Sequence, residues 1–468
     1  MKARMQKTLA DVIGRPQRNR TESERYEGAQ TFMWMMEDNI VEVPFDKEHL
    51  LEVILDPSNL NRAYKSVMRN KGCGGIDGMS CEHLLPWLLA NKETLTRSLQ
   101  DGSYRPNPVR RVEIPKEGGK MRLLGIPTVV DRLVQQAINQ VLTPVYERQF
   151  SRTSYGFRPR KGCHDALREA QKIVDGGYRY VVDLDLERFF DTVCHSRLIE
   201  ILGRTIKDGR VVSLIHKYLR SGVISHGLFE SSDEGTPQGG PLSPLLSNVM
   251  LNELDKELIR RRHPFVRYAD DALIFCKSKR AAERVRETIT EFIEKKLHLK
   301  VNKEKTIVSY VGGVKYLGYS FYVQKGRCQL CVHPKSKAKM KSALKDLTRR
   351  SNGWGYDKRK RKLSAYVRGW VGYYHLANMK RFLEETDEWL RRRIRMCIWK
   401  AWKKPKTKVA NLIKCGVKKH QAYMWGNTRL AYWRISRSPI LLTAISNANL
   451  KKAGYPCLLD SYLEWHPK

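Results

Sequence analysis

No stretch of the 468-residue sequence approaches the ~20 consecutive apolar residues that a membrane-spanning helix needs. The start, Met1-Lys2-Ala3-Arg4, is basic, but no apolar run follows it, which argues against a secretory leader. Glu22, Glu24 and Glu27 argue against an organellar one. The ten cysteines are scattered, which suits free thiols in a reducing cytoplasm better than a disulfide framework. The only close pair is Cys328-Gln-Leu-Cys331, with His333 just beyond, and it lacks the second ligand pair of a zinc site. There is no internal repeat and no low-complexity tract. Acid is scarce as well: 49 Asp and Glu stand against 87 Lys and Arg, for a formal net charge of +38. Such an excess repels itself in the folded state and calls for a polyanionic partner. Nucleic acid fits best, because every phosphate neutralised releases counterions; the competing explanation is an inert basic surface.

What is present falls into blocks. Residues 1–48 are polar and weakly patterned and read as an N-terminal extension with no assignable role. Helical spacing begins at Leu50 and runs through Leu60, Tyr64 and Val67, then stops at the glycine-rich Lys71-Gly-Cys-Gly-Gly-Ile-Asp-Gly78. Arg111-Val-Glu-Ile-Pro115 and Met121-Arg-Leu-Leu-Gly125, around a Glu117-Gly-Gly119 turn, predict a hairpin. A helix follows, with Leu133, Ala137, Val141 and Leu142 on one side. Tyr180-Val-Val-Asp-Leu-Asp185 is a buried-strand pattern that ends in acid. Pro264-Phe-Val-Arg-Tyr268 and Ala272-Leu-Ile-Phe-Cys276 form another strand pair, joined at Asp270-Asp271. This order predicts an α+β, palm-like domain rather than a doubly wound sheet.

Beyond residue 335 the composition shifts to helix formers and cations. Leu363, Tyr366, Val367, Trp370, Val371 and Tyr374 make one helical stripe, and Leu390, Ile394, Cys397, Ile398 and Ala401 a second. Arg391, Arg392, Arg393, Arg395, Lys400, Lys403 and Lys404 then fall on the faces left for solvent or RNA. From Lys414 onward, cations and aromatics interleave: Lys418, Lys419, Tyr423, Trp425, Arg429, Tyr432, Trp433, Arg434 and Arg437. Aromatic faces stack bases and cations hold phosphates, although a helix core with charged edges accounts for part of the same pattern.

The chemistry concentrates in three aspartates. Apolar strands that end in carboxylates are costly unless the charge is neutralised. Mg²⁺ does this well, as a hard ion that prefers oxygen ligands. Two such ions, about 3.5–4 Å apart, clamp the attacking and leaving oxygens of an in-line phosphoryl displacement. Asp185 from one strand, with Asp270 and Asp271 from a hairpin tip, would supply the ligands, and Mn²⁺ would substitute. Asp183 shares a strand face with Asp185 and suits a supporting position or a salt bridge. On its own, a Tyr-x-Asp-Asp tetrapeptide is better explained as an ordinary acidic turn.

The likeness extends well past four letters. Tyr268-Ala-Asp-Asp271 resembles motif C of reverse transcriptases, and Asp183-Leu-Asp-Leu-Glu-Arg-Phe-Phe-Asp191 resembles motif A as found in group II intron proteins. Gly235-Thr-Pro-Gln-Gly-Gly-Pro-Leu-Ser-Pro244 is similar to motif B. Ser154-Tyr-Gly-Phe-Arg-Pro159 and Ile114-Pro-Lys116 through Pro127 look like the fingers blocks. Leu299-Lys-Val-Asn302 through Lys305-Thr306 resembles motif D, Tyr316-Leu-Gly318 the primer grip, and Gly369-Trp370 with Gly372-Tyr-Tyr374 the maturase thumb. The blocks occur in the family's order over residues 50 to 460, approximately.

The resemblance implies a right-hand polymerase: a helical segment with a template-side loop at 49–105, fingers and palm at 106–334, an all-α thumb (maturase X domain) at 335–413 and a nucleic-acid-binding region at 414–468. It implies that Asp185, Asp270 and Asp271 are catalytic. Lys116, Arg122, Phe190, Gln238 and Lys305 would serve the dNTP: the two cations its phosphates, the Phe190 ring its sugar, Gln238 its base and Lys305 the leaving pyrophosphate. Arg158, Arg391, Arg392, Arg393, Arg395, Trp433 and Arg434 would hold nucleic acid. The implied partners are the parent group II intron RNA, a primed RNA template, target DNA and dNTPs, in a bacterial cytoplasm and with no membrane. Only Cys415 and Cys457 fall in the last seventy residues, so the zinc endonuclease of many relatives is not expected, as in bacterial class C members. Two other functions stay open: a catalytically idle RNA-binding maturase, and a reverse transcriptase recruited to host defence or diversity generation.

Overall fold

The computed structural model describes residues 48–115, 121–225 and 227–467, together with the backbone of two short strands, β1 (Met33–Met36) and β2 (Asn39–Glu42), which pair antiparallel. Most of the N-terminal extension, Lys116 and the Glu117-Gly-Gly119 turn lie outside the described residues. The described chain divides into two compact units, 48–314 and 315–467.

In the first unit, the hairpin β3 (Val109–Pro115) and β4 (Met121–Ile126) forms as the alternation predicts, with Ile114 opposite Arg122. β6 (Val223–Ser225) joins β3 in parallel and β7 (Leu228–Glu230) closes a four-stranded sheet of order β4-β3-β6-β7. A second sheet has the order β10-β5-β9-β8, from β5 (Tyr180–Leu184), β8 (Phe265–Tyr268), β9 (Asp271–Cys276) and β10 (Ile307–Tyr310), with all neighbours antiparallel. Its central strand β9 is buried on both faces from Ala272 to Cys276, which its continuous apolar run suits. The helix Lys279–Lys296 lays Ala282, Val285, Ile289 and Ile293 against the core, and Ser278 caps its start through Ala281 N at 3.2 Å.

The helix Val129–Glu147 departs from the expected one-sided stripe. Gln135, Gln136, Asn139 and Gln140 are buried along with Val134 and Ile138, so it runs through the interior. Part of its polar face is hydrogen-bonded: Gln140 donates to Asn59 Oδ1 at 2.8 Å, and Asn59 Nδ2 donates to Ala137 O at 3.1 Å. Asn59 lies in the helix Pro57–Asn70, whose N-cap Asp56 accepts from Ser58 N at 2.8 Å.

The second unit begins earlier than the expected boundary at 335. The hairpin β11 (Tyr319–Gln324) and β12 (Arg327–Val332) belongs with the helices that follow it. Tyr373 donates to Leu317 O at 2.9 Å, Ser336 to Gly318 O at 2.9 Å and Asn378 N to Leu330 O at 2.8 Å. The helix Tyr356–Tyr374 buries Leu363, Val367 and Val371, as its stripe requires. The helix Lys380–Ala401 is covered on more sides than its stripe predicts, with Arg395, Met396 and Trp399 buried beside Ile394 and Ile398.

Candidate active site

β5 and β9 set the geometry. Leu184 pairs with Ala272, and one step further the same register sets Asp185 beside Asp271. Asp270 occupies the two-residue turn between β8 and β9, where Tyr268 faces Asp271. The three aspartates therefore share one end of the sheet. Their side chains do not form a finished cage: among the described residues, no three His, Cys, Asp or Glu groups are gathered as metal ligands. Converging carboxylates repel one another, and Asp185 is instead paired with Lys305 Nζ at 3.3 Å. The oxygen-only donor set at an exposed edge still fits a hard divalent cation.

Asp185 is also held through its backbone. Its carbonyl accepts from Asn302 N at 2.9 Å and its N–H donates to Thr306 Oγ1 at 3.2 Å, so the 302–306 segment lies against it. Asp183, two residues back, is largely buried, and that burial, together with the charge of Asp185, pushes its carboxyl up to about 6. Phe190 is 7 % exposed and stands edge-on to Phe189 at 5.2 Å, so both rings belong to the core. The Phe190 carbonyl accepts from Thr236 N at 2.6 Å, which fastens the 235–242 loop to this turn. His195 was not singled out from sequence. It is buried, donates from Nε2 to Gly235 O at 2.6 Å, and burial holds its pKa down.

The same loop reaches the fingers sheet. Gln238 O accepts from Gly125 N at 2.7 Å, and Gln238 Oε1 accepts from Arg122 Nε at 2.9 Å. Gly239 has φ +124, and a Cβ there would lie 2.6 Å from Gly125 O, so the crossing requires glycine. Arg122 and Gln238, expected at the nucleotide, are thus in contact.

Arg158 is not available to phosphate or template. It is 3 % exposed, and its guanidinium donates to Glu147 Oε1 at 2.7 Å, to Ser154 O at 2.8 Å and to Ser151 O. Its Nη1 donors fold the 151–158 segment back on itself, and its Nε and Nη2 donors tie that segment to Glu147. That segment is the seat of the β8–β9 turn. Tyr155 N donates to Arg267 O at 2.8 Å and Arg267 N to Thr153 O at 2.9 Å, which covers the outer edge of β8. Gly156 lies so close to the turn that a Cβ would come within 2.2 Å of Ala269 N.

Sequence reasoning also missed Arg267, which is 1 % exposed and paired with the fully buried Asp255. The available signal was a cation inside the apolar run Phe265-Val-Arg-Tyr268, which needs a buried acid as partner.

In the second unit, the arginines expected to face RNA point largely inward. Arg395 is 5 % exposed, its Nε donating to Ile445 O at 2.8 Å and its Nη2 to Asn447 Oδ1 at 2.7 Å. Arg393 donates to Thr348 Oγ1 at 2.6 Å and to Lys345 O at 3.0 Å, and Arg391 to Cys457 Sγ at 3.2 Å. Arg392 donates to Trp433 O at 3.0 Å and lies 3.8 Å from the Trp433 ring centre. The physical reason is that helix-end carbonyls lack intrahelical partners, and the fork of a guanidinium satisfies them. Arg434 remains exposed, and Trp433 is 38 % exposed.

Comparison with known proteins finds two family matches along the chain. Residues 114–321 match the family described as reverse transcriptase (RNA-dependent DNA polymerase), and residues 337–416 match the group II intron maturase-specific domain. Protein YkfC of Escherichia coli K12 is 35 % identical, over 60 % of this chain and 84 % of its own length. The group II intron-encoded protein LtrA of Lactococcus lactis is 32 % identical over 59 % of this chain and 57 % of its own. The putative COX1/OXI3 intron 2 protein of Saccharomyces cerevisiae is 26 % identical over 62 % and 40 %. The chain thus spans little more than half of the Lactococcus protein. No helix among the described residues is long and apolar enough to cross a membrane. Reverse transcriptases use divalent metal ions, in keeping with the oxygen donors at the sheet end. The chain belongs to the reverse transcriptases of group II introns, RNA-directed DNA polymerases that carry a maturase-specific domain.

Proposed function

We propose that this chain extends a primer along an RNA template with dNTPs at the Asp185–Asp270–Asp271 edge, and that it binds its parent intron RNA to assist splicing and insertion into target DNA. The observation that supports the polymerase half is the β5–β9 register, whose last pair, Leu184 with Ala272, leaves Asp185 and Asp271 as the next residues on adjacent strands. Two Mg²⁺ ions bound there would stabilise the charge on the attacking and leaving oxygens. The carboxylates of Asp185, Asp270 and Asp271 would hold them, which requires Asp185 to part from Lys305. Arg122, on the fingers hairpin, offsets triphosphate charge, and its bond to Gln238 aligns that side chain for the base. Lys116 would act with Arg122. Lys305, released from Asp185, is within reach to protonate pyrophosphate. The Phe190 ring would exclude a 2′-OH from its nearly buried place beside Phe189.

The test is primer extension on an RNA template, comparing the parent with Asp270→Asn. Removing one metal-binding charge should slow extension by about 10³-fold, corresponding to roughly 4 kcal/mol of transition-state stabilisation. A parent that binds RNA but extends no primer would leave the splicing half alone standing, as an idle maturase.

A further inference from the structure

We propose that Arg267 is a positioning residue for polymerisation: from beneath the β8–β9 turn it fixes the Ala269–Asp270 peptide, and thereby sets Asp270 and Asp271 against Asp185. The proposal rests on the polymerase function above and adds to it the device that holds the metal-binding turn in place.

The turn needs holding. Ala269 has φ +57, a conformation that residues with a Cβ seldom adopt and that persists only where neighbours impose it. Hairpins usually give such a position to glycine. Two contacts impose it here. On one side, the backbone of Gly156 packs directly on Ala269 N. On the other, Arg267 Nη1 donates to Ala269 O at 2.9 Å. That carbonyl belongs to the same planar peptide as the Asp270 N–H, so fixing its direction fixes where the Asp270 side chain departs.

Arg267 is itself immobilised. Its Nε donates to Asp255 Oδ1 at 2.7 Å and its Nη2 to Asp255 Oδ2, while Nη1 also donates to Asn248 Oδ1 at 3.0 Å. Asn248 Nδ2 in turn donates to Gly156 O at 2.8 Å. One buried network therefore reaches both sides of the turn, from the helix Ser243–Arg260 and from the 154–156 segment. A buried ion pair is weak evidence for stability, because apolar residues of similar volume replace many such pairs without loss. The bond to Ala269 O is what an apolar replacement would not supply. A lysine would keep the charge but lacks the planar fork needed to meet Asp255, Asn248 and Ala269 together.

The experiment uses the full chain in steady-state primer extension on an RNA template, with thermal unfolding and binding of a labelled primer–template measured in parallel. Arg267→Lys and the double variant Arg267→Met/Asp255→Leu are compared with the parent; neither leaves a lone buried charge. The expected result is near-parental primer–template affinity and a kcat lowered by about 10²-fold, the size of effect that small misplacement produces. The Mg²⁺ concentration for half-maximal rate should rise in both variants. A pair that serves only folding would be rescued by one variant or the other, so parental kcat in either overturns the proposal. A variant that unfolds early is assayed below its own midpoint, where parental kcat per folded molecule overturns it equally. A parent chain that extends no primer overturns the polymerase function itself, and the proposal falls with it.

Discussion

In the palm sheet, Arg267 is buried against an acid, Asp255; in the helical unit, the buried Arg395 and the half-buried Arg393 are held by carbonyls, an amide oxygen and a hydroxyl. The first arrangement is a neutralised pair packed beneath the β8–β9 turn, where we propose that metal ions bind. The second leaves the cations without carboxylate partners among these contacts and uses them as multi-pronged donors between helix ends. The difference shows that a net charge of +38 overstates the cation surface on offer to nucleic acid. Part of the excess is structural cross-linking, and a guanidinium suits that task because its donors are fixed in one plane.

The largest effect that would break this comparison concerns Arg395. If it serves as a cross-link, Arg395→Met leaves Ile445 O and the Asn447 side chain without their donor, and unfolding free energy should fall by about 1–3 kcal/mol. Denaturant unfolding reads this directly. Full stability together with weakened RNA binding would return Arg395 to the interface. A smaller effect sharpens the contrast. Lys358, Arg361 and Arg368 lie exposed on the helix Tyr356–Tyr374. Neutralising all three should flatten the log–log dependence of RNA affinity on salt by about 2 to 3, if each meets a phosphate. Neutralising Arg391, Arg392 and Arg393 should cost stability while moving that slope less. Equal slope changes in the two triple variants would erase the distinction between inner and outer cations.

What could be seen in the sequence follows from the same contrast. Strand positions translate into geometry almost directly, because side chains alternate and partners sit at fixed register. The acid-ended strand at Asp185 and the Asp270-Asp271 turn therefore announced a shared edge, and the β3–β4 hairpin followed from its alternation. Helix faces translate less well. A stripe at 390–401 says which side is apolar, but not that later segments would cover the other sides, and so Arg395 was assigned to RNA. Arg158 was missed as a scaffold for a similar reason: its acid partner, Glu147, lies in a different element. The network around Arg267 joins residues 12 and 19 positions apart with a glycine 92 away from Asn248, and no local pattern encodes that meeting. The three-carboxylate cluster also did not appear as expected, since the backbone brings the groups to one edge while repulsion and Lys305 govern the side chains.

That last point leads to the smallest predicted effect, the one on metal affinity. Lys305 and Asp185 form a pair at 3.3 Å with side chains 64 % and 41 % exposed, and a pair so open to water contributes only about 0–1 kcal/mol. A divalent ion binding at Asp185 must compete with this ammonium group for the same oxygen. Lys305→Met removes the competitor, so the Mg²⁺ concentration for half-maximal primer extension should drop, by at most about fivefold on that energy scale. If Lys305 also protonates pyrophosphate, the maximal rate should fall at the same time, since a positioned acid contributes typically about 10²–10⁴-fold. The two quantities thus move in opposite senses for one substitution: tighter metal, slower chemistry. A higher Mg²⁺ requirement would instead mean that Lys305 helps assemble the metal site, and an unchanged rate would remove it from the chemistry altogether.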